Sequence, residues 1–409
     1  MKILACDPGS SSYKASLFEL YGQPPLTPQS PLWSGDVSWS KLPGDAHVRG
    51  RWAARTADDF SPHVDDRDEA VRALFARFFG AGAGNPQPLH AIEIAVHRVV
   101  HGGTLSCKST LLTPDVKAEI RAAIPLAPEH NPTTLAGIAA VEQHFGAIEQ
   151  VAIFDSAFHA TLPPAAFTYA TPLRWREVWG MRRLGFHGIS HQYCAQRCAQ
   201  LMQADFSALK IVSCHLGNGS SLAAIAGGRS LDTTMGWTPL EGVVMGDRSG
   251  SVDPGILLYL LDSGRMSASE LRRVLNEESG LLGISGLSRD MRDIVEAFAS
   301  GHPRAKLAFD VYSHRLRAAI GAMIASLGGL DALLFTGGVG ENVAQVRAAA
   351  CEGLEVFGLH LDREANKFAT PDANVAESGQ RIPICVIRSE ERWAMARECY
   401  HLLNETLKV

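Results

Sequence analysis

The sequence predicts an α/β protein in which one fold is used twice. Three observations carry that expectation: an internal repeat half a chain apart, strand-like runs alternating with helix-like runs, and glycine in excess at strand ends. The repeat sets Lys2-Ile3-Leu4-Ala5-Cys6-Asp7-Pro8-Gly9-Ser10-Ser11-Ser12 against Lys210-Ile211-Val212-Ser213-Cys214-His215-Leu216-Gly217-Asn218-Gly219-Ser220. Lys, Ile, Cys, Gly and the last Ser recur at equivalent places. Each copy reads as an apolar strand, a Gly/Ser turn and a second strand, Tyr13–Leu20 or Ser221–Ala226. Two unrelated hairpins would explain the match less well, because an ordinary hairpin needs only a two-residue turn of the Asn-Gly kind. Glycine lets backbone approach a ligand closely, and exposed N–H groups in such turns form anion-binding concavities. Ser10, Ser11 and Ser12 add hydroxyls, and Lys14 adds a cation.

The remaining elements follow in order. Residues 22–66, rich in Pro, Trp, Ser and Asp, have no assigned element. Asp66–Phe79 has Val71, Leu74, Phe75 and Phe78 at helical spacing. Ala91–Val100 reads as a strand, Thr133–Phe145 as a helix, and Val151–Phe154 as a buried strand ending at Asp155. Ser190–Leu201 reads as a helix with Ser190 as N-cap, and Arg304–Leu327 as a long helix. Ala332–Phe335 is a short strand entering the Gly337-Gly338-Val339-Gly340 loop. Ile382–Ile387 is the last strand and Arg392–Leu403 the closing helix.

Composition limits the function. A chain of 409 residues predicts two or three domains. With 46% hydrophobic and 20% charged residues it is neither disordered, collagen-like nor a disulfide scaffold. Lys and Arg total 38 against 43 Asp and Glu, a net charge of −5, which argues against nucleic acid as partner. It does not exclude an anionic substrate, since a few placed cations can serve a cleft. The first residues lack the apolar core of a secretory signal. The longest apolar tract, Ala318–Phe335, is broken by Gly328, Gly329 and Asp331, so it reads as a buried helix and strand, with no membrane span. The eight cysteines show no paired spacing and fit free thiols in a reducing cytoplasm. His187, His191, Cys194 and Cys198 match no common zinc spacing.

Several strand ends hold polar residues that a core does not need. His97-Arg98-Val99-Val100-His101-Gly102-Gly103 brings an arginine. Phe154-Asp155-Ser156 brings a carboxylate. Phe186-His187-Gly188 sets a histidine before a helix N-terminus, where anions are favoured. Met245-Gly246-Asp247-Arg248-Ser249-Gly250 sets an arginine among glycines. Two arginines, a histidine, two Gly/Ser turns and a carboxylate are the inventory of phosphoryl transfer, where charge stabilisation and positioning do most of the catalysis. The Gly337–Gly340 loop is neither a Walker loop nor a Rossmann fingerprint.

Taken together, the blocks GSSSYK, HRVVHGG, FDSAFH, RRLGFHGISH, HLGNGSS, TTMGWTPLEGVVMGDRSGSVDPG and GGVGEN resemble the acetokinase family, within the acetate and sugar kinase, heat-shock cognate and actin superfamily. They run in family order along nearly the whole chain, and residues 20–90 match least. The resemblance implies duplicated ribonuclease-H-like (actin-like ATPase) domains with an interdomain active-site cleft: residues 1–154 with 393–409, and residues 155–392. The second would carry the nucleotide site and a homodimer interface. It implies reversible phosphoryl transfer between Mg²⁺-ATP (or Mn²⁺-ATP) and acetate. Arg98 and Arg248 would hold the acyl carboxylate and the phosphoryl group in flight, with His187 adding a hydrogen bond. Asp155 and one of Glu390 and Glu391 would organise the metal, with Glu390 the better aligned and Asp7 a further candidate. Ser10, Ser12 and Lys14 would face the phosphate path lined by His215, Gly217, Asn218 and Gly219. Asp290, Met291, Arg292, Gly338, Val339, Gly340 and Asn342 would surround the nucleoside, and Val100, Phe186 and Pro239 the acyl group.

Four positions depart from the family pattern. Asp7 replaces the usual Asn and adds a negative charge near the phosphates. Asp247 and Ser251 replace Thr and Asp around Arg248. Glu129 stands where an apolar residue lines the acyl pocket; a carboxylate there repels a bound carboxylate unless it turns to solvent, pairs with a cation such as His130, or meets a polar substrate. The resemblance leaves acetate, another short carboxylate, and a pyrophosphate donor as readings; a non-catalytic nucleotide binder fits less well, because the candidate catalytic residues are all present.

Overall fold

The computed structural model describes residues 1–9, 12–39, 42–53, 57–80, 92–103 and 108–406. The chain forms two compact units, Met1–Ala157 with Glu390–Val409, and Phe158–Ser389.

The first unit is built on one mixed sheet. Its strands are β1 (Lys2–Pro8), β2 (Ser12–Glu19), β3 (Trp33–Trp39), β4 (Gly44–Trp52), β5 (Asp58–Phe60), β6 (His63–Val64), β7 (Ile94–Val99), β8 (Thr110–Leu111) and β9 (Glu149–Phe154). The order is β5-β4-β3-β2-β1-β7-β9-β8, with β6 against β4. β1, β7 and β9 run parallel, while β1 to β5 are antiparallel neighbours. β3 and β4 fill the stretch that the sequence left unassigned. Their residues alternate strictly, with Trp33, Val37, Trp39, Ala46, Val48 and Trp52 buried, as half-buried antiparallel strands require. That apolar face packs on the helices Arg67–Phe79 and Asn131–Phe145, with Trp33 edge-on to Phe79 at 4.8 Å. Asp66 caps the first of these helices by accepting from the Glu69 N–H. The other sheet face takes the helix Glu391–Thr406, where Trp393 meets Phe18 at 5.4 Å.

The second unit repeats the plan. β10 (Lys210–Leu216), β11 (Ser220–Ala226), β12 (Arg229–Thr233), β13 (Ala332–Thr336), β14 (Ala373–Asn374) and β15 (Ile384–Val386) are ordered β12-β11-β10-β13-β15-β14. The five strands β12-β11-β10-β13-β15 correspond one for one to β3-β2-β1-β7-β9. The registers agree as well: Asp7 lies opposite Lys14, and His215 opposite Ser221. The helix Pro303–Leu327 packs its buried residues on Val212, Cys214 and Leu222. The helix Gly188–Leu201 covers the other face, where His191 meets Ser213. The duplicated ribonuclease-H-like architecture expected from the sequence is therefore present; within Ala318–Phe335 the strand is buried, but the helix end is amphipathic, burying Ile320, Met323, Ile324 and Leu327 and exposing Ala318, Ala322, Ala325 and Ser326.

Two local expectations need correction. The helix carrying His191 starts at Gly188, with His187 as N-cap at φ 57°. Ser190 is inside the helix and does not cap it; its hydroxyl is engaged by His215 Nδ1 at 2.8 Å. The segment Gly337–Asn342 is one turn of helix, not an open loop. Gly337 makes that turn possible: its φ is +78°, and a Cβ there would lie 2.7 Å from the Leu216 carbonyl oxygen.

Candidate active site

In the first unit, strand ends gather charge around one arginine. Arg98, on β7, donates from Nε and Nη2 to the two carboxylate oxygens of Asp155, both at 2.9 Å, and from Nη1 to Asp7 at 2.9 Å. Asp155 follows β9 directly, so two adjacent parallel strands bring the fork and its carboxylate together. Arg98 retains one N–H on each Nη for a ligand. Burial opposes its charge, and Asp155, Glu391 and Asp7 more than offset that, raising its pKa. The Asp7 carboxylate, a departure from the family, is thus neutralised by Arg98.

Glu391 belongs to this cluster. Burial pushes its carboxyl up to about 7; Arg98 works against that, while Asp7 and Asp155 reinforce it. Its Oε1 is buried with no hydrogen-bond partner among the described residues. The resemblance favours Glu390, which is half-buried just before the closing helix; Glu391, the first residue of that helix, is the other candidate and lies within electrostatic reach of Arg98, Asp7 and Asp155. An orphaned buried carboxylate oxygen beside two further carboxylates fits a divalent metal. Among the described residues no three His, Cys, Asp or Glu enclose an ion, so such a metal would draw its other ligands from water and phosphate oxygens. Lys14 is exposed on β2 opposite Asp7, and Ser12 closes the turn by accepting the Gly9 N–H at 2.7 Å through its carbonyl. Ser10 lies outside the described residues. Val100 is buried just beyond β7, and Glu129 is half-buried in the turn before Asn131–Phe145.

In the second unit the equivalent strand end carries imidazole. His215 and His187 stack with centroids 4.2 Å apart and planes 23° off parallel. Ser221 bridges His187 Nδ1 at 2.9 Å and His191 Nε2 at 2.7 Å, and Ser213 meets His191 Nδ1 at 2.8 Å. His191 is driven well below the usual histidine range by burial and by its histidine neighbours. With Nδ1 engaged, His187 turns Nε2 towards Gly219. A Cβ on Gly219 would lie 3.4 Å from both that nitrogen and Arg248 Nη1. A Cβ there would make ordinary contact with both side chains, so Gly219 marks the place where a histidine and an arginine converge. Arg248 is buried and also donates to the Pro239 carbonyl at 3.5 Å. Phe186 is buried, and its carbonyl is bound by His159 Nε2 at 3.0 Å.

The phosphate turn is held to the Arg248 loop by contacts that no motif foretold. Gly217 donates to the Gly219 carbonyl, and Gly246 to the Asn218 carbonyl, each at 2.9 Å. The Asn218 amide donates to Asp247 at 3.2 Å, and Asp247 pairs with Arg289 at 3.1 Å. Arg289 accounts for the acidic residue at 247. On the expected nucleoside side, Asp290 caps the helix Met291–Ala299 and pairs with the exposed Arg292. Gly338 is exposed, with its carbonyl taken by Asn342; Val339 is half-buried and Gly340 buried. Met291 is corrected: it is buried in the hydrophobic core, where it supports the helix and cannot face a nucleoside. Ser213 and His191 were missed, although two polar residues, Ser213 and His215, alternating inside an otherwise apolar strand were a usable signal.

Comparison with known proteins identifies the family. Residues 2–397 match the acetokinase family. The acetate kinase of Cyanothece sp. (strain PCC 7425 / ATCC 29141) is 48% identical over 404 residues, 99% of each chain. The crystal structure of Porphyromonas gingivalis acetate kinase superposes with a TM-score of 0.86 at 34% identity, covering 98% of this chain and 99% of its own. A propionate kinase from Francisella tularensis subsp. tularensis SCHU S4 superposes with a TM-score of 0.86 at 34% identity, covering 97% and 98%. The chain belongs to the acetokinase family.

Proposed function

We propose that the protein transfers the γ-phosphoryl group of ATP to the carboxylate of acetate, reversibly, giving ADP and acetyl phosphate. The observation that carries the reading is the convergence of Arg248 and His187 on Gly219. It brings a cation and a ring nitrogen to the same stretch of bare backbone, the donors that would stabilise an in-flight phosphoryl group. Arg98, neutralised on one side by Asp7 and Asp155, orients the acetate through its remaining N–H groups. An acetate oxygen attacks the γ-phosphorus in line, and the bond to the ADP oxygen breaks. The carboxylate is already a nucleophile, so no general base is needed. Arg248 and His187 Nε2 stabilise the equatorial oxygens, and Ser221 keeps the imidazole oriented. Mg²⁺ or Mn²⁺ held at Asp155 and Glu391 would neutralise charge on the phosphates. The reading requires the Arg98 and Arg248 clusters to act on one substrate.

Propionate is the second reading, because a propionate kinase is as similar in structure as an acetate kinase and Glu129 alters the expected acyl pocket. A hydroxylamine-trapping assay of short carboxylates with ATP, GTP and pyrophosphate tests both. Acetate with ATP should give the highest kcat/KM, and Glu129→Leu should lower the acetate KM. Trapping only with pyrophosphate, or with no carboxylate, would sink the proposal.

The reading includes a cytoplasmic homodimer. No helix among the described residues is long and apolar enough to cross a membrane, and the seven described cysteines are buried free thiols. The helix Pro254–Asp262 buries none of its nine residues, and Ile256, Leu258 and Tyr259 are each more than half exposed. Such an apolar patch suits an interface. Leu258→Glu should shift the sedimentation coefficient from dimer to monomer; a wild-type monomer at micromolar concentration would refute the assignment.

A further inference from the structure

Away from both clusters, one concave patch of the first unit has chemistry of its own. On β3 and β4, Asp36 lies opposite Arg49, and Ser34 opposite Arg51. Cross-strand partners share a face, and so do residues two apart on a strand. Arg49 and Arg51 therefore point together with Asp36 and Ser34. Gly35 between them faces the packed side, where a Cβ would lie 2.5 Å from the Trp33 ring. The second residue of the closing helix, Arg392, completes the lining of a cavity of about 320 Å³.

Three guanidiniums thus line the pocket with one carboxylate, Asp36, while Asp59 lies across from Arg49 on its other side. Among the described residues none of Arg49, Arg51 and Arg392 is held in an ion pair. Arg392 also stands in the first turn of a 16-residue helix, where a cation works against the helix dipole. A bound anion would reverse that sign, and the first-turn N–H groups would add donors. Guanidinium forks match phosphate oxygens in pairs, and the volume is at the small end of ligand cavities. We propose that this pocket is an accessory binding site for a small phosphate-bearing anion, separate from the catalytic clusters.

The pocket has a route to those clusters. The registers set Asp59, Arg49, Asp36, Lys14 and Asp7 side by side across β5, β4, β3, β2 and β1, in alternating charge. Asp7 then meets Arg98, and Arg392 follows Glu391 in the chain.

The test is calorimetric titration of inorganic phosphate into the full chain with the catalytic site saturated by Mg²⁺ and ADP. Wild type should bind phosphate. Arg49→Ala/Arg51→Ala should bind at least tenfold more weakly, with phosphate-free turnover unchanged as the check on folding. Arg49→Lys/Arg51→Lys keeps the charge without the forks and should fall between; Arg392→Gln, the alternative should the double variant not fold, should also weaken binding tenfold. Methyl phosphate in a parallel titration tells a monoester site from one for free phosphate. Equal binding by wild type and the alanine variant, or equal heats from chloride at matched ionic strength, overturns the proposal. The comparison between variants does not depend on nucleotide being the substrate.

Discussion

Asp7 and His215 stand at the same place in two copies of one fold, at the end of a strand whose neighbours match in order and register. Their surroundings are chemically opposite. Around Asp7 the first unit gathers Asp155, Glu391, Lys14 and Arg98, so its electrostatics are those of full charges compensating one another. Around His215 the second unit gathers His187, His191, Ser190, Ser213 and Ser221, whose contacts are hydrogen bonds between imidazoles and hydroxyls. Duplication preserved the backbone and left the strand ends free to specialise. One end holds a cation and metal-type ligands; the other presents oriented donors.

The largest expected effects test whether both ends serve one reaction. Arg98→Ala and Arg248→Ala should each lower kcat about 10²–10³-fold, the range for losing a donor aimed at developing charge. Steady-state kinetics with either variant near wild type would break the pairing. Arg98→Ala should also destabilise by ~3–5 kcal/mol, because it strands buried carboxylates. Asp7→Asn in that background should recover part of the loss in urea denaturation. No recovery would mean that Asp7 is already compensated by other groups.

A smaller effect isolates the histidine end. Ser221→Ala removes the hydroxyl between His187 and His191. Losing one buried hydrogen bond of ~1–1.5 kcal/mol should lower kcat about tenfold, with the acetate KM little changed and Thr at 221 restoring much of it. A rise in KM at constant kcat would assign Ser221 to binding and not to orientation.

How far the sequence reached follows from what each signal depends on. The repeat, the five longest helices and the central strands of both sheets were legible because apolar periodicity and glycine turns are local. β3 and β4 were not assigned, although Trp33, Val37 and Trp39 alternate plainly; proline, serine and aspartate in the same stretch masked a period of two. Arg98 and Asp155 were legible as polar residues at strand ends, whereas His187 caps a helix and Arg248 lies in a loop, so the strand-end reading fails for those two. The place of Glu391 beside Arg98 was not legible, since helical phase decides which way each of two adjacent glutamates is turned. Arg289 was not, because its partner Asp247 is 42 residues away. Met291 sat beside true surface residues but on the buried side of its helix.

The subtlest test uses pH, because the two ends titrate in opposite senses. Burial holds His159 in the second unit down at about 4, and His97 in the first behaves alike. Below the unfolded value near 6.5 the unfolded chain takes up protons that the native imidazoles refuse. Their stabilisation is complete above ~6.5 and is lost as pH falls through 4. Glu391 opposes this. Its carboxyl is protonated in the native state up to about 7, while the unfolded chain ionises near ~4.5, so its contribution is complete below that value and is lost as pH rises through 7. Between pH 4.5 and 6.5 each group gives a slope of ~1.4 kcal/mol per pH unit, of opposite sign. Measured by urea denaturation without metal, His159→Gln should flatten the rise of stability with pH, and Glu391→Gln should steepen it. An unchanged slope in Glu391→Gln would mean that the carboxyl is ionised throughout the range, and the first unit would then need another cation to hold its three carboxylates together.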